Sequence, residues 1–108
     1  MTTQLIALTC AVREDSEVTA SLDGELDVHT SAQIGPRLTR LAESWGPELT
    51  LDLSGLTFCD SAGVDLLLRI HHQCAARGIR LTLAGVPRLV AGPMRLLGAD
   101  RVLVLSAR

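Results

Sequence analysis

Leu49-Thr50-Leu51-Asp52-Leu53-Ser54-Gly55-Leu56-Thr57-Phe58-Cys59-Asp60-Ser61-Ala62-Gly63, followed by the apolar run over residues 64–70, decides how this chain folds. Leu49, Leu51 and Leu53 alternate with Thr50 and Asp52 at the two-residue period of a strand, and from Val64 onward the apolar positions recur at helical spacing. The segment reads as strand, short loop, helix start, and Ser61 stands where the helix begins. In open α/β sheets, functional groups gather at such places, beyond the carboxyl ends of strands.

Upstream, residues 4–8 and 17–22 predict two strands joined by a polar turn at 13–16 and paired as an antiparallel hairpin. Asp23-Gly24-Glu25-Leu26-Asp27-Val28-His29-Thr30 reads as a solvated acidic loop turning at Gly24. Its alternate carboxylates lack the further ligands of a calcium loop, so no metal is expected. Thr30 with Gln33 fits a capping box, and Ile34, Leu38 and Leu41 give the inward face of a first helix. Pro36 conflicts with continuity. Either residues 30–33 form a separate turn and the helix proper starts at Pro36, or the helix kinks there. Gly46-Pro47 ends it, with Trp45 as a lid over the core edge.

Downstream, the helix after Ser61 is expected over about 62–77, with Gly78 as its left-handed stop. Ile79, Leu81 and Leu83 predict another strand. Pro87 opens a third helix that Gly92-Pro93 should interrupt, and residues 102–105 make a last strand. Two strands followed by three helix–strand alternations specify an α/β fold: a mixed sheet of about five strands with helices layered on one face.

With 108 residues, the chain is expected to form a single domain over residues 1–108. It contains no run of eighteen apolar residues and opens without a basic n-region, so neither a membrane span nor an export signal is expected, and a cytoplasmic protein is. Cys10, Cys59 and Cys74 are odd in number and unpaired in spacing, which argues against a disulfide framework and a zinc site. Residues 1–65 hold 11 of the 12 acidic residues and 3 of the 10 basic ones, so charge is segregated along the chain. The arginines of the second half are scattered and nearly without aromatic company, so no direct nucleic-acid partner is expected.

Asp60-Ser61-Ala62-Gly63 superficially resembles a nucleophile segment, but Cys59 stands where a nucleophile elbow needs glycine. His71 and His72 follow on the same helix, more than two turns away, and no phosphate-binding glycine loop or zinc motif occurs. An enzyme is not expected, nor a cofactor. Ser61 could be a plain helix N-cap. A helix start also accommodates phosphate, and a phosphoserine there would place roughly −1.5 to −2 of charge beside Asp60 and Asp65 without refolding the domain. Such a site is a switch on binding.

At these residues the chain resembles the STAS domains, and among them the small single-domain anti-sigma-factor antagonists. The likeness lies in Gly24-Glu25-Leu26-Asp27 with Thr30, in the segment from Leu51-Asp52-Leu53 to Asp60-Ser61-x-Gly63, and in the ending Gly98-x-Asp100-Arg101-Val102. It implies that Ser61 is the phosphoacceptor of a partner-switching system. The unphosphorylated antagonist would bind an anti-sigma factor that is also its serine kinase, freeing the sigma factor, and a serine phosphatase would reset it. By the same likeness Asp27, Thr30, Asp60 and Gly63 are the partner-binding candidates. Ala62 stands where many relatives have a second hydroxyl residue, which leaves Ser61 as the unambiguous acceptor. A monomer is expected when free. The alternative is a STAS scaffold or subunit of a larger signalling or membrane-transport assembly that Ser61 does not switch.

Overall fold

A computed structural model describes residues 6–12, 17–44 and 47–105. The expected turn at 13–16, the first two residues of the expected first strand, and Trp45 and Gly46 lie outside the described residues. Strands β1 (Ile6–Val12), β2 (Val18–Leu26), β3 (Glu48–Cys59) and β4 (Arg80–Ala84) form one sheet in the order β1-β2-β3-β4. β1 pairs with β2 antiparallel, and β2, β3 and β4 are mutually parallel. Helix α1 (Val28–Ser44) connects β2 to β3, α2 (Ser61–Ala76) connects β3 to β4, and α3 (Arg88–Leu96) follows β4.

The pleat sorts the side chains. Val18, Ala20 and Leu22 of β2, Leu49, Leu51 and Leu53 of β3, and Leu81 and Leu83 of β4 are buried under the helices. Thr19, Ser21, Thr50, Asp52 and Thr82 fall on the opposite, more accessible face. Small polar residues suit a sheet face that no helix covers. The helix layer adds Ile34, Leu38, Leu41, Val64, Leu67, Ile70, Val90 and Met94 to one core.

Several expectations are corrected. Residues 23–26 are the end of β2, carried through a register irregularity at Gly24 (φ 120°), rather than a loop. β3 runs on to Cys59 instead of stopping near Leu53. α1 is one helix with Pro36 inside it, so residues 30–33 are not a separate turn. Pro36 is exposed, whereas Ile34, Leu38, Leu41 and Ala42 are buried. Ile34, Leu38 and Leu41 contribute about 1.5–3 kcal/mol each, and together they exceed the roughly 3 kcal/mol an interior proline costs. α3 likewise continues through Gly92 and Pro93, held by buried Val90 and Met94. Pro87 is its N-cap rather than its first helical residue.

Among the described residues the expected last strand is reduced to one bridge. Gly98, at φ 72°, leads into a 3-10 turn over Ala99–Arg101, and the Val102 N–H is still donated to Ala99. Leu105 reaches β4 as an isolated parallel bridge to Leu83, and the Leu83 N–H is donated to the Val104 carbonyl at 2.9 Å. Among the described residues the sheet therefore has four strands and this bridge instead of about five strands.

Candidate functional site

β2 and β3 end level with one another, Leu26 paired with Cys59. The next residue in each strand is an aspartate, and each aspartate caps the helix that follows. Asp27 Oδ1 accepts the N–H groups of His29 and Thr30, both at 2.9 Å. In return the Asp27 N–H is donated to Thr30 Oγ1 at 2.8 Å, closing a reciprocal box. The expected box between Thr30 and Gln33 is thus displaced by one turn, and α1 starts at Val28. Helix N–H groups stabilise the charged carboxylate. The bond from the Thr30 N–H, above all, holds the Asp27 carboxyl below its ordinary value of 3.8.

On the second strand Asp60, not Ser61, is the N-cap: its Oδ1 accepts the Gly63 N–H at 3.0 Å. Ser61 is the first residue inside α2. Its side chain is exposed, and among the described residues its hydroxyl has no hydrogen-bond partner. The backbone N–H groups of Ser61 and Ala62 belong to the first turn and have no acceptor within the helix. The residue is thus free to be approached while its backbone is fixed.

The two caps are joined. The Asp60 N–H is donated to the Leu26 carbonyl at 3.2 Å, across the ends of the strands. A Cβ on Gly63 would lie 2.8 Å from that carbonyl oxygen and 2.8 Å from Cys59 Sγ. Only glycine lets the first turn of α2 rest on the end of β2. All five residues singled out from the sequence therefore meet at one edge of the sheet. Ser61 is exposed, Asp27 and Asp60 are half-buried, and Thr30 and Gly63 are buried and shape the backbone.

Two residues at the same edge were not anticipated. Val28, the first residue of α1, is 63% exposed, and Phe58, next to the end of β3, is 46% exposed. The signal for Phe58 was available. The buried positions step from Leu53 to Leu56 to Cys59, which turns Phe58 away from the core. Cys59 is buried, and burial, with the Asp60 carboxylate adding to it, pushes its thiol up to about 11. A thiol held protonated is a poor redox sensor. Among the described residues no three His, Cys, Asp or Glu side chains converge as a metal site, and no helix is long and apolar enough to cross a membrane.

Residues 10–105 match the family model described as Mlab, STAS domain, and the chain belongs to the STAS family. Its fold is that of solved anti-sigma factor antagonists. An anti-sigma factor antagonist from Mycobacterium paratuberculosis superposes with a TM-score of 0.84 at 20% identity, over 95% of this chain and 86% of that one. The Bacillus cell fate determinant SpoIIAA in its phosphorylated form superposes at 0.70 with 21% identity, over 94% of this chain and 93% of that one. Among curated proteins, osmosensory protein A of Mycobacterium tuberculosis is 31% identical over 70 residues, 65% of this chain but only 44% of that protein. The match thus spans less than half the length of that relative.

Proposed function

We propose that this STAS domain is an anti-sigma-factor antagonist switched by phosphorylation of Ser61. In the unphosphorylated state it binds an anti-sigma factor that is also its serine kinase and so releases a sigma factor; a serine phosphatase restores that state. It acts in the cytoplasm as a non-catalytic regulator of transcription. The observation that carries this reading is Ser61 itself, an exposed and unrestrained hydroxyl at the start of α2, set between two joined helix caps. Asp27, Asp60 and the backbone shaped by Thr30 and Gly63 present it to the partner, and Val28 and Phe58 supply apolar contact beside it. A phosphate in that contact would bring close to two negative charges into a surface being desolvated, next to Asp60 and Asp65, and would oppose docking.

The test is a pull-down from native lysate with the wild-type chain beside Ser61→Asp. Capture of an ATP-binding protein kinase by the wild type and its loss with Ser61→Asp is expected. Recovery of the same proteins by both baits would contradict the switch and favour a scaffold or transport-assembly role.

A further inference from the structure

α1 and α2 leave a groove of about 420 Å³ between them, lined on one side by Ser31, Ala32, Gly35, Pro36 and Thr39 and on the other by Leu66, Arg69, Ile70 and Gln73. Its volume lies within the range of small-molecule sites, about 300–1,000 Å³. Its walls are apolar where Gly35, Leu66 and Ile70 are buried, yet two buried polar atoms along it have no partner among the described residues. Ser31 is 6% exposed and its Oγ is unpaired; Gln73 Oε1 is also buried and unpaired. Buried polar groups left without partners each cost about 1–3 kcal/mol, so two along one groove call for a ligand that satisfies them.

We infer that the α1–α2 groove binds a compact, neutral molecule that presents hydrogen-bond donors, held by Ser31 Oγ and Gln73 Oε1. Gln73 Oε1 can only accept, which selects a donor on the ligand. The Arg69 guanidinium, 3.4 Å from Asp65, is the charged group of the lining, and no carboxylate among the lining residues offers a cation a counter-charge. A carboxylate, for its part, would face the Gln73 Oε1 acceptor. The site is distinct from Ser61, which does not line it.

The test is an amide NMR titration of the whole chain with acetamide, beside acetate and methylammonium at the same concentrations. Acetamide is expected to give saturable shifts concentrated over residues 31–39 and 66–73, and the two ions are not. Ser31→Ala should weaken acetamide binding about fivefold, the worth of one hydrogen bond, while leaving the fold intact. Gln73→Leu should weaken it similarly. Shifts that stay proportional to acetamide concentration, equal binding of either ion, or saturation unchanged in both variants would overturn the proposal.

Discussion

Gly63 has no room for a side chain, because a Cβ there meets the Leu26 carbonyl, which cannot rotate away. Gly63→Ala is expected to destabilise the domain by about 1–3 kcal/mol, the usual cost of overpacking, measured by urea denaturation. Asp27 is the second sensitive residue. Its carboxyl is depressed in the folded state, so its contribution is present above the unfolded value of 3.8 and is lost as pH falls through the lower folded value. Asp27→Asn should therefore flatten the acid limb of the melting temperature against pH. Cys59 behaves with the opposite sign. Its thiol is raised to about 11 from an ordinary 9.0, so its contribution is complete below pH 9.0 and is lost as pH rises through about 11. At pH 8, iodoacetamide is expected to modify exposed Cys10 and spare buried Cys59 and Cys74 until the chain is unfolded. At this scale the sequence was readable in place but not in role. Asp and Ser cap helices about equally well, so Asp60-Ser61 marks a helix start without saying which residue caps it. Only the backbone geometry gives the cap to Asp60 and leaves the Ser61 hydroxyl free.

At the scale of the element, α1 shows how packing overrides local preference. Pro36 breaks the hydrogen-bond ladder, and buried Leu38, Leu41 and Ala42 hold the helix together beyond it. Pro36→Ala would restore the N–H bond to Ala32. The folded helix should gain about 1–3 kcal/mol, offset in part by the greater freedom of the unfolded chain, as read by chemical denaturation. The helix face at Ile34, Leu38 and Leu41 was legible because its spacing is helical. Continuity across Pro36 and Pro93 was not, since it depends on what lies beneath the helix. The lengths of β2 and β3 were hidden for a related reason. Register irregularities at 21–25 break the two-residue alternation that marks a strand, so Gly24 and Gly55 look like turns when they lie within paired strands.

For the whole molecule, the order of strands and helices was enough to specify a mixed sheet with one helix layer, and to place Ser61 at its carboxyl edge. The fifth strand was misjudged because residues 102–105 have a strand's composition, while the 3-10 turn that Gly98 opens runs into Val102, so that among the described residues pairing with β4 comes down to the bridge at Leu105. The switch proposed for Ser61 asks nothing of this framework. The residue is exposed, and a negative charge in the first turn of a helix is favourable. Ser61→Asp is thus expected to unfold within about 0.5 kcal/mol of the wild type, so that any loss of partner binding reports the contact and not the fold. The most direct measurement is the phosphorylation state of the chain itself: incubation with native lysate and ATP, followed by tandem mass spectrometry of the peptide carrying residues 54–65. The account predicts one phosphate, on Ser61, absent from Ser61→Ala and removed by a serine phosphatase. A chain that stays unmodified, or takes its phosphate on Ser54 or Thr57 instead, would contradict it.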